Sequence, residues 1–208
     1  MRSVAEHCFP VVGRGIGTRR PMDLILVRHA RAFDRDSAAW PDDARRPLTA
    51  SGRDEFILLA KQLKRIAPAV EMVEASGFVR AWQTARILAE QTGWPQPSRL
   101  ERLEAESVSS DGVDPIESLV RALEGMAGIE SIAWVGHEPM LSRLASRLLA
   151  GSVDAMSINF KKGAAVAIRV SIDGKGPTPV ARGELLWMLT PRLVARMKRR
   201  VKRRVKPA

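Results

Sequence analysis

Apolar positions along the chain fall into two kinds of block. Short β-branched and aliphatic runs, Leu24-Ile25-Leu26-Val27, Val70 to Ala75 and Ile129 to Val135, read as buried strands. Between them apolar residues recur at helical spacing. Phe56, Leu59, Ala60, Leu63 and Ile66 line one face of a helix that opens on Thr49 as N-cap and ends near Pro68, leaving Lys61, Lys64 and Arg65 to solvent. Phe78, Ala81, Trp82, Ala85, Leu88 and Ala89 form the stripe of a second helix that stops at Gly93. Glu101 to Gly112 is acidic and irregular, and a weaker helix runs from Asp114-Pro115 to about Met126. Glu138-Pro139 opens another, with Leu141, Leu144, Ala145 and Leu148 on one face. Ala164 to Val170 and Glu184 to Leu189 are later strands, joined across a Gly/Pro-rich turn at 173–179 that suits a hairpin. This alternation predicts an α/β fold, three layers α/β/α around a mostly parallel central sheet.

Length limits the picture to one sizeable domain with appendages, since the chain has 208 residues. Residues 1–21 carry no periodicity and read as a mobile N-terminal extension, with Met22 as an alternative start; 22–191 form the domain, and 192–208 a basic tail. Glu6, His7 and Pro10 break the apolar centre that a signal peptide needs. A single cysteine rules out a disulfide framework and makes the reducing cytoplasm the expected location. Arg28, Arg80 and His137 interrupt the longest apolar candidates for a membrane span.

Net charge of +11 suggests a polyanion partner until it is placed along the chain. Residues 192–206 hold nine cations and no acid, and 1–21 add a net three, so 22–191 carry about one net negative charge. Specific nucleic-acid recognition by the body is therefore not expected. In the tail, Val194, Met197, Val201 and Val205 recur at helical spacing among Arg and Lys. Such a basic amphipathic helix either docks back on the domain or meets a polyanion or anionic membrane surface through residues 192–206.

Candidate chemistry gathers at strand ends. Arg28-His29 follows the first strand, Ser76-Gly77-Phe78-Val79-Arg80 the second, and Gly136-His137 a third. Parallel strands would bring two arginines and two of the chain's three histidines to one sheet edge, where ligands bind in such folds. Taken alone, Arg80 is an ordinary surface arginine and His137 a satisfied turn histidine. Together they outline phosphoryl transfer: arginines hold phosphate bidentately, one neutral imidazole attacks phosphorus, and a second donates to a phosphoryl oxygen. Two histidines plus carboxylates also suit zinc or manganese, but Arg28 and Arg80 would repel a cation and no HxH or HxxxH spacing is present.

The motifs Val27-Arg28-His29-Ala30, Arg46-Pro47-Leu48-Thr49 with Gly52, Ser76 to Ala85, Gly136-His137-Glu138-Pro139-Met140 and Trp187-Met188-Leu189-Thr190-Pro191 span residues 22–191. In that order they resemble the histidine phosphatase superfamily, the phosphoglycerate-mutase-like group, and within it the short phosphohistidine phosphatases of the SixA type. The resemblance implies a cofactor-independent phosphatase in which His29 becomes phosphorylated, Arg28 and Arg80 clamp the phosphate and His137 stabilises the transferring group. The partner it implies is a phosphohistidine-bearing protein or a small phosphorylated substrate. The chain departs from many relatives in having Ala30 where they have glycine, and Arg31 where an acidic residue often follows. A proton-donating Glu of the middle segment in larger relatives has no clear equivalent; Glu104, Glu106 and Asp111 are the candidates, with Glu104 preferred.

Overall fold

The computed structural model describes residues 20–104, 112–126, 128–173 and 180–204. The expected N-terminal extension, apart from its last two residues, lies outside them, as do Glu106, Asp111, the hairpin turn at 174–179 and Val205.

Six strands form one sheet: β1 (Met22–Arg28), β2 (Met72–Ala75), β3 (Ser98–Arg99), β4 (Ser131–Gly136), β5 (Ala165–Asp173) and β6 (Val180–Leu189), in the order β3-β2-β4-β1-β5-β6. The pairs β3/β2, β2/β4 and β4/β1 are parallel, while β1/β5 and β5/β6 are antiparallel. The helices are α1 (Ala50–Ile66), α2 (Val79–Thr92), α3 (Pro115–Gly125), α4 (Met140–Ala150) and α5 (Pro191–Arg204).

Side chains alternate across the sheet and so fill two cores. Ile25 and Val27 of β1 with Ala133 and Val135 of β4 pack against α1 and α2, whereas Leu24, Leu26, Ile132 and Trp134 pack against α3 and α4. The three layers are those that the sequence predicts. Thr49 caps α1 as expected, its hydroxyl accepting from Gly52 N at 3.0 Å.

Three boundaries differ from the sequence reading. The edge strand β3 is only Ser98–Arg99, both exposed, so no apolar pattern announces it. β6 begins at Val180 rather than Glu184, because backbone pairing with β5 carries the ladder through Arg182 and Gly183 regardless of polarity. The tail boundary at residue 192 falls inside a helix: α5 starts at Pro191, and its Val194 is buried in the core beside α1. Met197, three residues further along the same helix, is 45% exposed. No helix among the described residues is long and apolar enough to cross a membrane.

Candidate active site

Parallel pairing of three neighbouring strands decides where the motifs meet. In register, Arg28 of β1 lies opposite Gly136 of β4, and Ala75 of β2 opposite Val135, so the loops after all three strands leave the sheet side by side. His29 N donates to Gly136 O and Ser76 N to Val135 O, both at 3.0 Å. Arg28, His29, Arg80 and His137 thereby line one cavity of about 320 Å³, together with Arg35, Asp43, Arg46, Glu138 and Lys162.

The remaining motif residues brace this cavity. Arg46 Nη1 donates to Phe33 O at 2.6 Å, and Thr49 N to Arg31 O at 3.1 Å, which folds the 46–49 segment over the loop after His29. Gly52 lies so close to the Arg31 carbonyl that a Cβ there would collide with backbone. From α2, Gln83 accepts from Leu48 N at 2.9 Å and Thr84 Oγ1 from Ala30 N at 3.0 Å. A rigid frame of this kind fixes the geometry of the side chains that line the cavity.

His29 is 6% exposed, and its Nδ1 lies 2.7 Å from Ala30 O. A carbonyl only accepts, so Nδ1 carries the proton and Nε2 keeps its lone pair. Burial, reinforced by the charges of Arg80, Arg28 and Lys162, pushes the imidazole down to about 3, so it is neutral at neutral pH. His137 stands with its ring centroid 5.1 Å from that of His29. Burial also lowers its pKa, helped by the proximity of His29 and Arg80. Its Nε2 lies 2.8 Å from Ser76 Oγ, which already accepts from Phe78 N at 3.2 Å. With Ser76 donating its hydroxyl proton to Nε2, His137 holds its own proton on Nδ1.

The two principal arginines are anchored differently. Arg28 Nη1 donates to Phe160 O at 2.6 Å. Arg80 lies over the Phe78 ring, with Nη1 donating to Asp43 O at 2.7 Å and Nη2 2.9 Å from Asp43 Oδ2. Asp43 also receives Arg46 Nε at 2.9 Å. Burial alone would raise the Asp43 pKa, but the Arg46 hydrogen bond and the charges of Arg80, Arg46 and Arg35 together hold it below the usual carboxylate range. Glu138 is raised by burial, against the Ser142 hydrogen bonds and the charge of Arg28.

Among the described residues, three buried side-chain polar atoms have no hydrogen-bond partner: Arg28 Nε, Arg80 Nε and His137 Nδ1. All three belong to this cavity. Such orphans are costly unless a ligand meets them, and five cationic side chains facing two carboxylates call for an anion. Among the described residues, no three His, Cys, Asp or Glu side chains gather closely enough to hold a metal ion.

Glu104 is not brought into the cavity. Its Oε1 accepts from Arg99 Nε at 2.8 Å and from Gly77 N at 3.2 Å, so the carboxylate braces the 76–78 loop from outside. The carboxylates that do line the cavity, Asp43 and Glu138, were not singled out by sequence reasoning. Asp43 lies in an irregular Asp/Arg-rich loop where no periodicity marks which acid turns inward; Glu138 directly follows His137, and that adjacency was the available signal.

Comparison with known proteins agrees with this geometry. The family description "Histidine phosphatase superfamily (branch 1)" matches residues 24–108. An uncharacterized protein of Picosynechococcus sp. is 30% identical over 153 residues, covering 71% of this chain and 85% of its own length. Phosphohistidine phosphatase SixA of Escherichia coli K12 is 30% identical over 155 residues, covering 74% of this chain and 89% of its own. A solved structure of the protein histidine phosphatase SixA complexed with tungstate superposes with a TM-score of 0.66 at 26% identity, over 83% of this chain and 99% of that one. Fold and sequence similarity thus agree, and the chain belongs to the histidine phosphatase superfamily as a phosphatase of the SixA-like kind.

Proposed function

We propose that this phosphatase removes the phosphoryl group from phosphohistidine in a protein partner, passing it through its own His29. The observation that carries the reading is the set of unmatched donors, Arg28 Nε, Arg80 Nε and His137 Nδ1, on the cavity that also contains His29. His29 Nε2, neutral and held by the Ala30 carbonyl, attacks phosphorus as the substrate P–N bond breaks. Arg28, Arg80 and the His137 N–H hold the equatorial oxygens, where charge is spread during transfer. Water then attacks phosphorus on His29, releasing inorganic phosphate and regenerating the imidazole. An imidazole leaving group needs less acid assistance than an alkoxide, and Glu138, its pKa raised by burial, is the carboxyl placed to assist when needed.

Similarity to a protein named phosphohistidine phosphatase favours the protein substrate. So does the short stretch between Arg80 and His137, which leaves little chain for a cap enclosing a small metabolite. The lone cysteine is consistent with work in the reducing cytoplasm. Incubation with a phosphohistidine-bearing protein and, separately, an aryl phosphate, each with and without a chelator, tests the reading. Release from the phosphohistidine at far higher kcat/KM, unaffected by the chelator, is expected. Exclusive turnover of the aryl phosphate would make the chain a small-molecule phosphomonoesterase, and loss of activity restored by added metal would replace the mechanism.

A further inference from the structure

A second cavity, of about 640 Å³, opens beside the catalytic one and shares Arg28 and Lys162 with it. Its remaining walls come from Arg31, from Glu55 and Leu58 of α1, from Lys161, from Thr190, and from the start of α5. Two features of the lining stand together. The floor is apolar, made by Leu58, Pro191, Val194 and Ala195, and the rim carries Arg31, Lys161, Lys162 and Arg192 against the single acid Glu55. Glu55 lies 3.7 Å from Arg31, so it offsets one of these charges and leaves the others facing outward. Lys161 and Arg192 are exposed and belong to no ion pair shown among the described residues.

Of this surface, the proposed phosphoryl transfer uses only Arg28, with Lys162 as a further wall residue common to both cavities. An apolar floor inside a cationic rim does not match a small sugar or alcohol, whose hydroxyls need polar partners. It does match a protein segment that offers an apolar side chain flanked by carboxylates. Because Arg28 and Lys162 belong to the walls of both cavities, the two lie side by side, and a chain lying in the second brings a neighbouring phosphorylated residue next to the first. We infer that the cavity between α1 and α5 is a docking groove for an acidic, apolar-centred segment next to the phosphohistidine of the partner protein. The inference rests on the phosphohistidine reading and adds to it a rule of partner choice: charge complementarity sets specificity and encounter rate at the groove, away from the reacting atoms. It also gives the start of α5 a role, since Pro191, Val194 and Ala195 supply most of the apolar floor and Arg192 part of the cationic rim.

The test uses the full chain and the K161E/R192E double variant, whose positions lie outside the catalytic cavity. Fluorescently labelled, unphosphorylated peptides with a central Leu between Glu residues, a central Ser between Glu residues, or a central Leu between Lys residues are titrated by anisotropy. Phosphohistidine versions of the first and third, and an aryl phosphate, are assayed for turnover. Wild type should bind the Glu/Leu peptide about tenfold or more tightly than the Glu/Ser and Lys/Leu peptides, and the preference should shrink as salt is raised. The double variant should lose or invert the charge preference in both binding and kcat/KM while hydrolysing the aryl phosphate at the wild-type rate; K161R/R192K should restore it. Equal binding of the Glu/Leu and Glu/Ser peptides, or a charge preference that survives reversal, would overturn the groove. The phosphohistidine reading would then stand if the phosphopeptides were still hydrolysed, and would fail separately if the Glu/Leu peptide bound as described but its phosphohistidine form was never turned over.

Discussion

Asp43 offers a way to ask whether the positions of the arginines, rather than their charges alone, set the rate. Its carboxylate is 20% exposed and joins Arg80 Nη2 and Arg46 Nε, each at 2.9 Å. In Asp43→Asn the amide oxygen can still accept one of these bonds, but its NH2 faces the other guanidinium. The loss is therefore about one charge-assisted hydrogen bond, roughly 1.5–3 kcal/mol. Expressed at the transition state, that corresponds to a fall in kcat of about ten- to a hundredfold. Removing a negative charge also leaves the cavity more cationic, so KM and the affinity for inorganic phosphate should hold or improve. The backbone bond from Arg80 to Asp43 O and that from Arg46 to Phe33 O survive the change, so the melting temperature should fall little. Steady-state kinetics on an aryl phosphate, phosphate inhibition and thermal melting together read this out. A kcat within twofold of wild type would refute the claim that Asp43 aims Arg80. A large loss accompanied by unfolding would mean that the carboxylate is structural instead.

The buried imidazoles make stability pH-dependent. His29 and His137 are neutral in the folded state, while unfolded histidine titrates near about 6.5, so stability should fall as pH drops from there toward about 3, by up to about 1.4 kcal/mol per pH unit for each. Urea unfolding of His29→Gln across that window should show a shallower slope than wild type, and an unchanged slope would mean that His29 is not buried neutral. Glu138→Gln should slow aryl-phosphate hydrolysis more than phosphohistidine hydrolysis, whereas Glu104→Gln, acting through the Gly77 loop, should affect both alike; the reverse pattern in parallel assays would return the acid role to Glu104. Ending the chain after Pro191 removes buried Val194 and should cost about 1.5 kcal/mol or more in chemical denaturation.

Much of the fold was legible because its signals are local. The runs at Leu24–Val27 and Ile129 to Val135 and the stripes of α1, α2 and α4 carry their own period, and Thr49 announces its helix by its side chain. Strand limits were less legible because they belong to pairs: β6 reaches back to Val180 only because β5 offers a partner, and β3 exists only because β2 does. The convergence of Arg28, His29, Arg80 and His137 could be anticipated from strand ends once the sheet was taken as parallel. Asp43, Arg35 and Lys162 could not, since three stretches of chain with no repeating pattern bring them in, and Arg46 stood out only as part of a motif with no role attached. The position of Glu104 was not legible either, since its contacts with Arg99 Nε and Gly77 N, outside the cavity lining, depend on how separate segments meet.

The central claim is that the phosphoryl group passes through His29, and rapid quenching during turnover of a labelled substrate tests it most directly. Peptide mapping under alkaline conditions, which preserve a phosphoramidate, should find one phosphoryl group on the peptide containing His29, and acid should release it. The label should be absent from His29→Ala, which should fold normally and release no phosphate. Label on another residue, or turnover in the His29→Ala enzyme at the wild-type rate, would contradict the account.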